Sequence, residues 1–123
     1  MAKRRVQAGH PILRARVWVE MKGGPAITEA GADLLRQIDA CGSLSESARR
    51  LRFSYRRAWL LVDGMNRRWP SPLVETATGG LRGGGSHLTD LGSRVLRSYR
   101  DLQLQVEAVL DHVTDSFTRS TQA

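Results

Sequence analysis

Five arginines, Arg49, Arg50, Arg52, Arg56 and Arg57, fall within nine residues that contain no acid. Arginine stays charged at physiological pH and presents a planar fork of donors that fits phosphate or guanine two bonds at a time. The chemistry open to such a run is the grip of a polyanion; the plainer alternative is a solvated helix face. A second candidate is Thr78-Gly79-Gly80-Leu81-Arg82-Gly83-Gly84-Gly85-Ser86, with five glycines in nine residues. Bare backbone of this kind can lie against a phosphate chain or enter a minor groove, and Arg82 adds a charged donor. His87 follows, within expected reach of phosphate. A flexible linker is the alternative there, and the loop's place beside the basic run argues against it.

Other chemistry is poorly supplied. A nucleotide-binding loop would need Lys and then Ser or Thr after its last glycine, where this chain has Ser86-His87. A dinucleotide fingerprint needs a strand–helix–strand setting that the pattern lacks. His10, His87 and His112 are scattered, with no Cys or carboxylate at ligand spacing, so no metal site is expected. Ser86, His87 and Asp90 sit close in sequence, but a triad is a matter of geometry that adjacency does not supply. No paired carboxylates occupy an apolar setting, and an enzyme is not expected. No cofactor and no small-molecule substrate are expected.

The composition agrees with a polyanion partner. The 123 residues carry a net charge of +7, with seventeen arginines against Lys3 and Lys22. That favours nucleic acid over a membrane surface. The length suits one domain with a modest core. Cys41 is the only cysteine, so no disulfide can form within the chain, which fits a reducing cytoplasm. It reads as a buried, inert thiol. No apolar run has the length of a membrane span, and the basic start with Lys3, Arg4 and Arg5 has no apolar stretch behind it.

The elements that must position these residues can be read in order. Residues 1–11 are expected to be a basic, disordered arm. Strict alternation from Leu13 through Ala15, Val17 and Val19 to Met21 predicts a strand, with Trp18 on its polar face under partial cover from a neighbouring segment. Lys22-Gly23-Gly24-Pro25 predicts a turn. Thr28 caps a helix lined by Leu34, Leu35, Ile38 and Cys41 and ended by Gly42. Its acids, Glu29, Asp33 and Asp39, should turn it away from nucleic acid. Ser43 caps a short helix carrying Leu44, Ala48 and Leu51, with Glu46 completing a capping box. After a turn at Arg52 and Phe53, Ser54 caps a second helix whose inward stripe is Ala58, Leu61, Val62 and Met65. The helical period then turns Arg56, Leu60, Asp63 and Arg67 outward, with Tyr55, Arg57 and Trp59 on the flanks. Two helices joined this way are a helix-turn-helix, and a basic first turn on the second suits a major groove.

Pro70 and Pro72 end that helix near Trp69. Leu73 to Ala77, the glycine-rich loop and a short return at His87 and Leu88 describe a wing. Thr89 starts a long helix to about Thr114. Leu88, Val95, Leu102 and Val109 are seven apart, and Tyr99, Val106 and Val113 form a second such series, a coiled-coil-like seam that calls for a second chain. Asp115 to Ala123 is expected to be a frayed tail. The fold class is therefore mainly α with a small β-sheet (α+β), with residues 12–88 the winged helix-turn-helix and 89–114 a dimerisation helix.

The stretches IDACGSLSESARRLRFSYRRAW, MNRRW and LVETATGGLRGGGSHLTDLG resemble the N-terminal domain of the ModE family, molybdate-responsive bacterial transcriptional regulators. The GSLS–ARRL portion is shared with LysR-type regulators, whereas SYRRAW with the glycine-rich wing is more specific; the resemblance covers roughly residues 12–110. It implies a homodimer on a palindromic operator of double-stranded DNA, in the bacterial cytoplasm on the nucleoid. It implies DNA contacts from Ser54, Tyr55, Arg56 and Arg57, and from Thr78, Gly79, Gly80, Arg82, Gly83, Gly84, Gly85 and Ser86. Arg49, Arg50, Arg52, Leu60, Arg67 and His87 complete the candidate set. Full-length members of the family continue into oxyanion-binding domains that sense molybdate, and no molybdate site carries over onto these residues. The rival from another class is a winged-helix adaptor that docks proteins, against which the concentrated arginines argue.

Overall fold

The computed structural model describes residues 9–77 and 85–122. The alternating run becomes a strand only at its end, where β1 (Val19–Met21) pairs antiparallel with β2 (Gly24–Ile27). Residues from Leu13 to Trp18 have no strand structure, which corrects the longer strand expected there. Alternation makes a strand only where partner backbone is available, and β2 is four residues long. The turn narrows to Lys22 and Gly23, both at positive φ (56° and 78°), a two-residue loop that matches the twist of a hairpin. Gly24 and Pro25, read as turn, belong to β2 instead. Trp18 is 52% exposed, with its indole N–H donating to Glu20.

Three helices follow, each started by a side-chain oxygen. Thr28 accepts from the Gly31 N–H at the head of α1 (Glu29–Cys41), and Gly42, at φ 70°, closes it. Ser43 accepts from the Glu46 N–H at the head of α2 (Leu44–Leu51). Ser54 accepts from the Arg57 N–H at the head of α3 (Tyr55–Arg68). The turn between α2 and α3 hinges on Arg52, which sits at φ 59°. Leu34, Leu35 and Ile38 of α1, Ala48 of α2, and Ala58, Val62 and Met65 of α3 are all buried against one another's layer. Ala48 and Ala58 leave little side chain between the elements, so α2 and α3 can cross closely. Cys41 is half-buried rather than buried, its thiol 3.3 Å from the Ser47 hydroxyl.

The wing strands β3 (Val74–Thr76) and β4 (Ser86–Leu88) pair antiparallel, Glu75 opposite His87. The Ser86 N–H donates to the Gly42 carbonyl at 2.9 Å, tying β4 to the end of α1. Thr89 accepts from the Gly92 N–H and donates to the Pro72 carbonyl, anchoring the start of α4 (Asp90–Ser120). There Gly92 passes against Leu73 so closely that a Cβ would strike the Leu73 carbonyl. The helix continues past Thr114 to Ser120, so the expected frayed tail is largely helical. Thr114, Thr118 and Ser120 bond their hydroxyls to carbonyls four residues back, which satisfies those polar side chains inside the helix.

The chain clusters into two compact units, Val17–Arg100 and Met1–Arg16 with Asp101–Ala123, and α4 contributes to both. In the first, Val95, Leu96 and Tyr99 are core residues, 7%, 6% and 2% exposed. The Tyr99 hydroxyl donates to the Val17 carbonyl at 2.6 Å. Burial, with Glu29 and Asp33 adding to it, pushes its pKa above the ordinary tyrosine value. Val95 and Tyr99 were expected on a dimer seam; they are spent on the core of their own domain.

Candidate nucleic-acid interface

The exposed face of α3 gathers the candidates that matter most. Tyr55 is 57% exposed, and Trp59 and Leu60 each 48%. Arg56 and Arg57 are exposed beside them, as is Arg52 at the turn. Among the described residues Arg52 and Arg56 make no ion pair. The Arg57 guanidinium lies 4.0 Å from the centre of the Phe53 ring, which fixes its direction without offsetting its charge. Ser54 is exposed, but its hydroxyl oxygen already serves the α3 cap. The first turn of α3 holds no acid. Its free N–H groups and the helix dipole add to the positive potential there.

Arg49, Arg50 and Arg67 of the candidate set are compensated. Glu46 accepts from Arg49 Nε at 2.8 Å and from Arg50 Nε at 3.1 Å. The two guanidinium groups hold its carboxyl down at about 2. The capping box is therefore half-formed: Ser43 caps, while the Glu46 side chain turns to the arginines rather than back to the helix start. Arg67 Nε lies 3.0 Å from Asp63, so its charge on the outer face is also offset. The cluster of five reads as uncompensated in sequence, and the structure leaves Arg52, Arg56 and Arg57 as the cations turned to solvent without an acid.

In the wing, Thr78, Gly79, Gly80, Arg82, Gly83 and Gly84 lie outside the described residues, as do Lys3, Arg4 and Arg5 of the arm. Gly85 accepts from the Ala77 N–H at 2.8 Å, holding the base of the loop. Ser86 is only 5% exposed, with its hydroxyl 3.5 Å from that of Thr76. It packs inside the wing and is not presented to a ligand, which corrects its place in the candidate set. His87 is exposed, but its Nε2 lies 3.3 Å from the Glu75 carboxylate, which competes with any phosphate for it.

On α4, Leu102, Val106 and Val113 are half-buried and Val109 is 60% exposed. Leu88 is half-buried at the end of β4. Leu104 and Phe117, 53% and 50% exposed, add apolar surface.

Three positioning residues were not legible as such. Asn66 accepts from the Leu73 and Val74 N–H groups and donates to the Val74 carbonyl, fastening the wing to α3. Arg68 donates to the Met21 and Lys22 carbonyls, and the Trp69 indole donates to the Ala26 carbonyl. Together they lash the end of α3 to the β1–β2 hairpin. A polar side chain just before Pro70 and Pro72 hints at a cap for Asn66, but nothing in the sequence pairs Arg68 with residues more than forty positions away.

Among the described residues no group of His, Cys, Asp and Glu is placed to hold a metal ion. No described helix is long and apolar enough to cross a membrane.

No family model matches the chain. The "Molybdenum transport protein ModE" of Azotobacter vinelandii is 35% identical over 107 residues, 87% of this chain and 40% of that protein. The "DNA-binding transcriptional dual regulator ModE" of Escherichia coli is 42% identical over 74 residues, 60% of this chain and 28% of that protein. The chain thus spans two fifths or less of the length of these curated relatives. Among solved structures, a point mutant of ZitR from Lactococcus lactis matches with a TM-score of 0.56 at 15% identity, over 94% of this chain and 77% of that one. That likeness concerns the fold alone, and agrees with an α+β winged helix.

Proposed function

We propose, from the premise that this chain is a homologue of the ModE regulators and corresponds to their N-terminal DNA-binding domain, that it is a sequence-specific DNA-binding module of a transcriptional regulator. It carries no catalytic role. The observation that carries this reading is the first turn of α3: Tyr55, Arg56 and Arg57 exposed, Arg52 beside them, no acid in the turn and Ser54 holding the helix end rigid. In this reading α3 enters the major groove and Arg56 reads a base edge. Arg52 and Arg57 hold phosphates, and the wing, with Arg82, lies on the flanking backbone.

The finer reading is a homodimer on a palindromic operator of molybdenum-related genes. Two kinds of support bear on it: the ModE relatives, and the apolar face of α4 on which Val109 is exposed in line with the half-buried Leu102, Val106 and Val113. The dimer is held through Leu102, Val106, Val109 and Val113, without Val95 and Tyr99, which are core residues, and without Leu88, which ends β4 ahead of the helix. The acids of α1, Glu29, Asp33 and Asp39, suit a brace on the side away from the DNA.

Selection of bound duplexes from a random pool tests this. The expected product is an inverted repeat with half-site centres one helical turn apart, about 34–36 Å, or a multiple of it. Arg56→Ala should relax one base pair per half-site by about 1–3 kcal/mol. A pool that shows no enrichment would overturn the reading, and a single unrepeated site would overturn the dimer.

A further inference from the structure

The outward face of α3 is not uniformly cationic. Leu60 is the sixth residue of the helix and lies one turn beyond Arg56 on the same stripe. It is 48% exposed, although Ala58, Val62 and Met65 on the opposite face are buried. A lone exposed leucine carries no information. This one has Trp59 beside it at the same exposure and Tyr55 a turn back at 57%, so the three flank Arg56 as an apolar surround. Beyond Leu60 the stripe continues with Asp63 and Arg67, which neutralise each other. The face therefore reads, from the N-terminal end, as cation, apolar group, closed ion pair.

We infer that Leu60 is a specificity-determining residue that packs on the 5-methyl group of a thymine in the major groove. The inference deepens the DNA-binding reading above and rests on it. Duplex DNA is the occupant that the charge selects, because the uncompensated cations Arg52, Arg56 and Arg57 lie at the N-terminal side of the apolar group, in and just before the first turn of the same helix. A protein-docking helix would gain nothing from that setting. Within the major groove, the thymine methyl is the apolar feature a side chain can meet. The spacing fits a neighbouring base pair. Four residues of helix rise about 6 Å, close to two base-pair steps of roughly 3.4 Å. Arg56 on a guanine and Leu60 on a thymine one or two steps away is thus a single reading unit.

The test uses the full chain and the duplex recovered by selection, prepared once with thymine and once with uracil in every thymine position. Uracil keeps the pairing and removes the methyl. The wild type should bind the uracil duplex about threefold to tenfold more weakly per half-site, the scale of one buried methyl contact. Leu60→Ala should bind both duplexes equally, and Leu60→Met, which keeps an apolar side chain, should retain part of the preference. A wild type indifferent to the methyl, or a Leu60→Ala variant that keeps the full preference, would overturn the inference while leaving DNA binding intact. Failure of both duplexes to bind in dilute buffer would overturn the DNA-binding reading itself, and this inference with it.

Discussion

Glu46 lies between two of the arginines that mark this protein. Its carboxylate takes Arg49 and Arg50 together, so three side chains contribute one net positive charge. The pairing is exposed and screened by salt, and its consequence is a muted field on α2 more than added stability. Glu46→Gln should release both cations. Random-sequence duplex should then bind more tightly, with a salt slope steeper by up to about two units if both arginines reach phosphate. Unchanged or weaker binding would mean that Glu46 orients the arginines instead of offsetting them. The same residue predicts a pH effect. Its folded-state pKa is lowered from 4.5 to about 2. The pairing therefore stabilises the fold above pH 4.5 and is lost as pH falls through about 2. The Gln variant should show a shallower loss of stability across that window, followed by circular dichroism.

At the scale of elements, the helix-turn-helix depends on caps and the wing depends on Asn66. That amide satisfies three backbone groups at the start of β3. Asn66→Ala should leave part-buried backbone groups unpaired, at a cost of about 1–3 kcal/mol, read as a lower melting temperature. If the wing contacts DNA, affinity should fall further than stability alone explains, because β3 would lose its fixed place beside α3. A variant as stable as the wild type would contradict this account of Asn66. The three helix starts were legible in the sequence because Thr28, Ser43 and Ser54 announce themselves by side-chain chemistry, and Gly42 by its left-handed turn. The short hairpin was half legible. Alternation from Leu13 fixed the faces, but β2 lies under Gly24 and Pro25, which read as breakers. The end of α4 is not legible in the sequence: Thr118 and Ser120 look like tail composition, while their hydroxyls are satisfied by carbonyls of their own helix. In the candidate site, the arginines were legible but their pairing was not: whether Glu46 turns back to cap or outward to Arg49 is decided by geometry.

For the molecule as a whole, the net charge of +7 and the exposed apolar residues of α4 point to two kinds of partner. Leu104 and Val109 are more than half exposed, and a single helix gains nothing from displaying them to water. In the proposed dimer, Val106→Asp combined with Val109→Asp, two residues of the same face of α4, should give a monomer by sedimentation with its helix content kept. A wild type that is itself monomeric at tens of micromolar would contradict the dimer. Val95 and Tyr99 show why a seven-residue repeat alone does not define a seam: the repeat continues into the domain, where its first turns are consumed by the core. The central claim is that the uncompensated cations at the start of α3 hold a nucleic-acid duplex. The most direct measurement is the binding of a labelled random-sequence duplex across a salt series, for the wild type and for the combined Arg52→Ala, Arg56→Ala and Arg57→Ala variant. The wild type should show log K falling linearly with log salt, at about 0.9 per phosphate neutralised, and the variant should lose about two to three units of that slope. A wild type that ignores the duplex in dilute buffer, or a variant with the wild-type slope, would contradict it.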